Sequence, residues 1–366
     1  MQPKSKISMS KRVFAVILAI LLALSSLTVY LVLERPSVSP YTGVLGYDFV
    51  LSQKGENYLL TDVTNGSTTN MHENASAAIN IALSKGNSVY VENGTYVLNQ
   101  DILVADKIDA KITGDYATII GNAHRIIIYG DNYTDSQYAT VSGFIITNGT
   151  IRVENSFGTT ISDMTFENTS TAIEMANTRS WSEDTQIDNC HFINATEGIA
   201  FRTPTGTATG SYESSTINSC FFNINDNSVG INVEQSAEFS DSEVQNVRMW
   251  MGQDGFTNQT GILVNGAMDQ TILSAVVFES FAAIPKNMFA IELGQTCNPA
   301  PLLDSGVNFL GNWTTDIHNP YSKWVYGTGS AFETTGINVP IGLNGQYGAT
   351  VSIKELPSLS TRPNPK

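Results

Sequence analysis

Charged side chains are scarce in this sequence. They make up only 14% of its 366 residues, against about a quarter in an average soluble protein. Lysine and arginine are the rarer sign, 19 against 34 acidic residues, and the formal net charge is −15. Because such a chain repels polyanions, we expect no nucleic-acid partner. The hydrophobic content of 42% is patterned along the chain and excludes a disordered protein.

Cysteine is also scarce, with only Cys190, Cys220 and Cys297. Three are too few for a secreted fold stapled by disulfides. Cys190 and Cys220 occupy the same position in consecutive copies of a repeat described below. In a stacked repeat they would lie about 4.8 Å apart, which permits a disulfide, but parallel Cβ vectors make its geometry awkward. We favour two buried thiols over a disulfide.

Several chemical signatures are missing. The sequence contains no glycine-rich phosphate loop and no nucleophile elbow. Its four histidines, His72, His124, His191 and His318, show no metal-ligand spacing. The sequence therefore predicts no metal site and no cofactor.

The N-terminal region predicts export. Residues 1–12 contain four basic side chains and no acid, and residues 13–33 contain no charge. Such a run is long enough to span a bilayer core of about 30 Å. We predict a transmembrane signal anchor at 13–33 with a cytoplasmic basic segment at 1–12, which makes a single-pass cell-membrane protein whose C-terminal domain is extracellular. The alternative is a signal peptide cleaved after Ser25, where Ala23 and Ser25 supply the small residues.

A six-residue phrase organises the rest of the chain. Each copy opens with an apolar residue, continues with mostly small or polar ones and closes on an apolar one. The copies are Val141–Ile146, Ile161–Phe166, Ile187–Phe192 and Ile217–Phe222, followed by the less regular Phe239–Val244, Ile272–Val277 and Leu302–Val307. Their starts are 20 to 33 residues apart, which is typical of a solenoid with loops of variable length.

A second phrase of alternating residues accompanies the first. Its copies are Ile151–Val153, Ala172–Met175, Gly198–Phe201, Gly230–Val233, Gly261–Val264 and Ala290–Leu293. Alternation in a strand directs Ile173 and Met175 to the core and Glu174 to solvent. In a solenoid, equivalent positions of successive coils form columns.

The stretch before the repeats carries a family resemblance. Residues 72–85 place apolar side chains on one helical face, and Gly86 is a helix stop. The strand-like VYVENGTYVL of Val89–Leu98 follows. This order resembles the N-terminal cap of the pectate-lyase-like superfamily, in particular its rhamnogalacturonase/epimerase-type group. The resemblance implies an all-β fold, a right-handed parallel β-helix with an N-terminal capping helix, here preceded by one transmembrane helix.

The predicted organisation has seven segments. They are the basic segment 1–12, the anchor 13–33, a linker 34–45, the N-terminal cap 46–109, the parallel β-helix repeats 110–320, C-terminal cap strands 321–354 and a flexible tail 355–366.

The resemblance implies catalytic motifs that this sequence lacks. Hydrolases of the superfamily carry an Asp-Asp pair, a G-H-G and an R-x-K, and none of the three occurs here. Its lyases gather acidic residues around calcium with an arginine or lysine as base, so calcium is expected only if the protein is a lyase. The best outward column holds Arg152, Glu174 and Glu292. Arg152 and Glu174 lie one coil apart, as in a surface ion pair, whereas Glu292 is four coils from Glu174, too far to share a metal. Catalytic residues are therefore unknown.

Two other columns are predicted to be structural. The third position of the first phrase holds Asp163, Asn189, Ser219, Asp241, Ser274 and Asp304. Small polar residues fit a tight bend there, capped by their own side chains. The sixth position holds Phe166, Phe192 and Phe222, which we expect to stack in the core.

The candidate carbohydrate-binding residues are outward charges and rings. They are Arg152, Glu174, His191, Arg202, Trp250 and Glu292. His191 is expected at the surface rather than as a base. Trp250 lies in a predicted loop, 245–260, where it either stacks on a sugar ring or folds over the flank of the solenoid. Two other predicted loops cover 202–216 and 278–289. Glycosylation candidates are Asn65, Asn74, Asn93, Asn132, Asn148, Asn168, Asn194, Asn258 and Asn312.

These features favour a membrane-anchored extracellular glycoprotein that binds a polysaccharide, another glycan or a surface protein without catalysis. The rival is a polysaccharide lyase or glycoside hydrolase, and the third interpretation is a structural spacer. Carboxylates converging with an arginine in one groove would favour the enzyme. A flank of threonine, serine and asparagine would favour binding.

Overall fold

The computed structural model describes residues 46–304, 306–321, 323, 325–327, 331–334 and 350–353. They form a parallel β-solenoid, so the β-helix architecture implied by the resemblance is confirmed. The predicted basic segment, anchor, linker and tail lie outside the described residues. Within the described ranges, no helix is long and apolar enough to cross a bilayer.

The elements before the regular coils are β1 (Phe49–Lys54), β2 (Asn57–Asp62), β3 (Thr68–Asn70), α1 (Ala75–Lys85), β4 (Ser88–Val91), β5 (Thr95–Val97) and β6 (Ile102–Ala105). The central strands are β7 (Lys111–Ile120), β8 (Arg125–Tyr129), β9 (Thr140–Thr147), β10 (Thr150–Glu154), β11 (Thr160–Ser162), β12 (Thr165–Glu167), β13 (Thr171–Met175), β14 (Ser182–Glu183), β15 (Gln186–Asp188), β16 (His191–Ile193), β17 (Glu197–Phe201), β18 (Tyr212–Glu213), β19 (Thr216–Asn218), β20 (Phe221–Asn223) and β21 (Val229–Val233). The last elements are β22 (Glu243–Gln245), β23 (Arg248–Met251), a 3₁₀ turn (Gln253–Gly255), β24 (Thr260–Val264), β25 (Ile272–Ser274), β26 (Val277–Ser280), β27 (Phe289–Leu293), β28 (Leu302–Leu303), β29 (Asn308–Gly311), β30 (Thr315–His318), β31 (Tyr326–Gly327), β32 (Ala331–Thr334) and β33 (Thr350–Ile353).

Three parallel ladders run along the solenoid, each taking one strand from a coil. Ladder 1 contains β4, β7, β9, β11, β15, β19, β22, β25, β28 and β31. Ladder 2 contains β5, β7, β9, β12, β16, β20, β23, β26 and β29. Ladder 3 contains β6, β8, β10, β13, β17, β21, β24, β27, β30, β32 and β33. The long strands β7 and β9 belong to both ladder 1 and ladder 2.

Helix α1 occupies most of the predicted 72–85 segment. Asn74 begins it, since its side-chain oxygen accepts a hydrogen bond from the Ala77 amide at 2.8 Å, the usual role of an N-cap. The buried face of the helix, including Ile79 and Leu83, packs against β1, β2, β4, β5 and β6. The parallel ladders already include β4 and β6, so parallel pairing is present within the segment 46–109.

Core columns hold the coils together. Ladder 3 stacks an unbroken column of buried isoleucines, namely Ile102, Ile126, Ile151, Ile173, Ile199, Ile231, Ile262, Ile291 and Ile317. Ladder 2 stacks Phe192 on Phe166 with 5.4 Å between ring centroids and on Phe222 with 4.4 Å. The predicted aromatic core is thus confirmed. Cys190 and Cys220 are free, buried thiols, as predicted.

The predicted bend column is confirmed for Asp163, Asn189 and Ser219. It is wrong for the other three positions, Asp241, Ser274 and Asp304. The third position of the phrase adopts a left-handed backbone, with positive φ at Gly143, Asp163, Asn189, Ser219, Asn246 and Ala275. Small and polar residues tolerate this conformation best. Asp241 also has a positive φ, but it lies at another corner, and Ser274 and Asp304 pair within or beside strands of ladder 1.

The less regular copies of the phrase were therefore misplaced. Pairing aligns Val244 and Leu273 with Ile217, and it aligns Met249 and Phe278 with Phe222. The copies are Val244–Met249 and Leu273–Phe278, with the last across 303–309. Apolar and small residues also occur in the neighbouring segments, so the pattern alone admits more than one register. As a consequence, the predicted loops 245–260 and 278–289 contain β23 and part of β26.

Adjacent residues on β24 test the assignment of inward and outward faces. Ile262 is fully buried in the isoleucine column, whereas its neighbour Leu263 points outward and is half-buried. Ile262→Ala should lower the free energy of unfolding by about 2–5 kcal/mol through the cavity it leaves. The matched Leu263→Ala should cost about 1 kcal/mol. Chemical denaturation measures both; equal losses would contradict the inward assignment of Ile262.

Candidate functional site

The outward face of ladder 3 carries a network of ions across five successive coils. Its members are Arg125, Arg152 and Arg202 with Glu154, Glu174, Glu197 and Glu234. Arg152 binds Glu154 on its own strand and Glu174 on the next coil, where its Nη1 lies 3.0 Å from Oε2. Both side chains of the predicted Arg152–Glu174 pair are largely shielded, with 19% and 13% of their surface exposed.

Arg202 is the centre of this network. Its Nη2 lies 2.6 Å from Glu197 Oε2, its Nη1 lies 2.6 Å from Glu234 Oε1, and its Nε lies 3.4 Å from Glu174 Oε1. Two more contacts, to the other oxygen of Glu197 and to the Thr171 hydroxyl, bring the total to the five donors of a guanidinium. Arg202 therefore ties three coils together and has no donor left for a ligand.

The ion pairs oppose a catalytic role for the network. Burial alone would raise the pKa of Glu197, but hydrogen bonds from Arg202 and Asn232 outweigh it, so that pKa lies below the usual value. Burial alone would lower the pKa of Arg202, but Glu197 and Glu234 outweigh it and raise that pKa. Burial likewise opposes the charged form of Arg152, and Glu174 and Glu154 raise its pKa. A general acid at Glu197 would need a raised pKa, and an arginine base would need a lowered one. Carboxylates do converge with arginines, as an enzyme would require, but they neutralise one another.

Glu292 belongs to a separate group, four coils from Glu174 as predicted. Its Oε1 lies 3.2 Å from His318 Nδ1, and its Oε2 accepts a hydrogen bond from the Thr260 hydroxyl at 3.1 Å. The buried His318 ring stacks on Phe289 with 4.3 Å between centroids. Across the described part of the chain, no group of three or more histidine, cysteine or acidic side chains is placed to hold a metal ion.

Four members of the network were missed from the sequence, namely Arg125, Glu154, Glu197 and Glu234. A sequence signal exists for the three glutamates. Glu154, Arg202 and Glu234 each directly follow a copy of the second phrase, and Glu197 directly precedes one. Asn232 also contributes, donating to Glu197 at 2.8 Å, while its own buried Oδ1 has no hydrogen-bond partner.

The outward face of ladder 2 carries a row of rings, which we call the aromatic strip: His191, Phe221, Trp250 and Phe281. Each ring belongs to a different, successive coil, and neighbouring rings meet edge to face. Centroid distances are 5.8 Å for His191–Phe221, 4.8 Å for Phe221–Trp250 and 5.6 Å for Trp250–Phe281. His191 is exposed, as predicted, and Phe281 is 47% exposed. The strip is therefore exposed at both ends, and its central rings, Phe221 and Trp250, are half-buried.

Trp250 lies on strand β23 and not in a loop, a correction that follows from the register. Met249 and Met251 point into the core, so Trp250 between them points outward. The Arg248 guanidinium lies 5.6 Å from the Trp250 ring centroid and its Nη2 lies 3.1 Å from Glu279 Oε2. The indole Nε1 is buried and has no hydrogen-bond partner. Sequence reasoning found Trp250 and His191. It missed Phe221, which lies between them, and Phe281, which lies beyond Trp250 at the end of the strip.

A second aromatic cluster lies at the opposite corner of earlier coils. Tyr133 stacks on Trp181 with 4.2 Å between centroids, and Phe157 packs edge-on against Tyr133 and Tyr138. Phe157 forms parallel bridges here with Gln137 and Glu183, and the cluster was not predicted.

The predicted glycosylation sites differ in accessibility. Asn65, Asn93, Asn132, Asn148, Asn168 and Asn312 are exposed, whereas Asn74, Asn194 and Asn258 are half-buried. A glycan attaches through Nδ2, and this atom in Asn194 and Asn258 already donates to a corner asparagine, Asn168 at 3.3 Å and Asn227 at 2.8 Å. Nδ2 of the exposed Asn65, Asn93 and Asn312 also donates to protein oxygens, so the exposed Asn132, Asn148 and Asn168 are the better acceptors.

No protein-family model and no curated protein matches this chain. Among solved structures, it is similar to PfbA, a surface adhesin of Streptococcus pneumoniae, at 15% identity over 72% of this chain and 83% of that one, with a TM-score of 0.41. It is also similar to an alginate lyase from Paenibacillus sp. str. FPU-7 at 13% identity over 66% and 96%, with a TM-score of 0.35. A third is the Agl-KA catalytic domain at 13% identity over 76% and 64%, with a TM-score of 0.34. These likenesses are too distant to assign an activity.

Arg202 tests the structural role of the ionic network. Arg202→Ala leaves Glu174, Glu197 and Glu234 without their shared cation and should lower the free energy of unfolding by about 1–3 kcal/mol. The matched control is Arg179→Ala, because Arg179 pairs only with Asp131 where both side chains are more than 60% exposed. An exposed pair contributes about 0–1 kcal/mol. Thermal and chemical unfolding measure the stability of both variants. An Arg202→Ala protein as stable as the wild type would contradict the role of Arg202 in holding neighbouring coils together.

Proposed function

We propose that this parallel β-helix is the extracellular domain of a membrane-anchored glycoprotein, and that it binds carbohydrate without cleaving it. The observation that carries the proposal is the aromatic strip. Four rings on successive coils lie along one sheet face and are exposed at both ends of the row. Rings with an apolar face and a polar edge suit ligands that are themselves partly apolar and partly polar, as sugar rings are.

The ionic network supports the absence of catalysis. Its arginines are saturated by glutamates, and the pKa values of Glu197, Arg152 and Arg202 are shifted away from those that acid or base catalysis needs. A saturated network stabilises the coils beside a binding face. Helix α1, packed on the first strands, would serve as the cap that closes this end of the core.

A polysaccharide lyase or glycoside hydrolase is the second candidate. One observation favours it, namely the convergence of four glutamates with three arginines on one face. Ligand binding would then have to break some of these pairs to release a carboxylate or a guanidinium for chemistry.

A glycan array on the purified domain 46–366, with parallel assays for unsaturated and reducing ends, separates the two candidates. We expect retention of at least one glycan class and no release of ends from any retained glycan. Cleavage would overturn the non-catalytic proposal. A protein that neither binds nor cleaves would instead support a structural spacer.

The anchor is tested by the N terminus of the mature protein. Residues 13–33 carry no charge, so an uncleaved protein should partition with membranes through this segment and should begin at or near Met1. N-terminal sequencing and membrane fractionation measure both properties. A soluble mature protein that begins near Ser26 would show that the segment is a cleaved signal peptide.

A further inference from the structure

We infer that the aromatic strip takes an uncharged glycan, laid obliquely across the strands of ladder 2 from coil to coil. The inference rests on the proposed carbohydrate binding and specifies which class of glycan binds and where. It follows from the arrangement of the rings, from the pairing of the charges beside them and from the charge of the whole chain.

The direction of the ligand follows from the arrangement of the rings. His191, Phe221 and Trp250 lie on β16, β20 and β23, and Phe281 directly follows β26. The strands run across the solenoid and the rings repeat from coil to coil, at centroid distances of 4.8 to 5.8 Å. A chain of sugar rings meets successive side chains only if it crosses the strands from coil to coil, since a chain laid parallel to one strand would meet one ring at a time. The register places Arg248 opposite Phe221 and Glu279 opposite Trp250, so this path is oblique to the solenoid axis.

The charges beside the strip do not suit an acidic sugar. The cation of strand β23, Arg248, is held by Glu279 on the neighbouring strand and lies against the Trp250 ring. Glu279 already offsets the charge of Arg248, so an incoming carboxylate or sulfate would meet a neutralised pair. The Glu279 carboxylate would also repel it.

The charge of the whole chain acts in the same direction. With 34 acidic against 19 basic residues, the protein repels polyanions over about one Debye length, roughly 8 Å at physiological ionic strength. An uncharged polymer experiences no such repulsion.

Paired oligosaccharide panels test the ligand class. The probes are neutral gluco-, manno-, galacto- and xylo-oligosaccharides, and oligogalacturonate and oligoalginate of equal length, measured by calorimetry against the domain in low and high salt. We expect at least one neutral series to bind with an affinity that changes by less than about twofold with salt, and the uronates not to bind. Preferential binding of a uronate, weakened steeply by salt, would overturn the inference while leaving carbohydrate binding intact.

Three tryptophan variants test the location. Trp250→Ala should weaken binding of the neutral series by about tenfold or more, equivalent to about 1.4 kcal/mol. Trp250→Phe keeps a ring on the strip and should retain most of the affinity, which distinguishes a contact from a folding defect. The matched control Trp181→Ala removes a half-buried indole from the second aromatic cluster and should leave affinity unchanged.

The opposite pattern contradicts the location. Full affinity in Trp250→Ala, or loss only in Trp181→Ala, would place the glycan elsewhere and overturn the inference, although the proposed function would stand. Absence of binding to every neutral and acidic probe would overturn the proposed function itself.

Discussion

The constraint on which this structure depends is that every side chain lies one coil away from its own equivalent. Parallel pairing sets this repeat at about 4.8 Å, so each column must hold residues that tolerate one another at contact distance. Isoleucines and phenylalanines satisfy it in the core by packing and stacking. Asparagines and small residues satisfy it at the left-handed corners, where Asn194 and Asn258 donate to the asparagine of the coil before.

The same constraint explains the form of the ionic network. Like charges on neighbouring coils would repel, and the outward column of ladder 3 avoids this by alternating Arg152 with Glu174 and then continuing with uncharged Ala200 and Asn232. Arg202 reaches from the adjacent column to the remaining glutamates. The resulting ion pairs link neighbouring coils to one another. Because these charges neutralise each other, they are not free to bind a ligand. Ladder 2 has a different composition on its outward face. There four successive coils present rings beside the Arg248–Glu279 pair.

Much of the fold was predictable because the regular copies of the six-residue phrase can be aligned unambiguously. Phrases that end in phenylalanine, such as Ile187–Phe192, align in one register only, and they located the core, the bends and the outward position of His191. The copy Val244–Met249 ends in methionine and was mistaken for Phe239–Val244, which also begins and ends with apolar residues. Because of this error in register, Trp250 was assigned to a loop instead of a strand, and the aromatic strip was not predicted. The partners of Arg202 were missed for another reason, since a long side chain reaches across coils to positions that no short sequence pattern relates.

The central claim is that ladder 2 binds the ligand while the charged face of ladder 3 stabilises the solenoid. Hydrogen–deuterium exchange of the domain, with and without a saturating oligosaccharide, tests it most directly because it reports on both faces at once. The account predicts slower exchange on binding in 219–223, 248–253 and 279–284, with 171–175, 197–202 and 230–234 unchanged. Protection of the second set without the first would contradict it and would place the ligand on the ionic network.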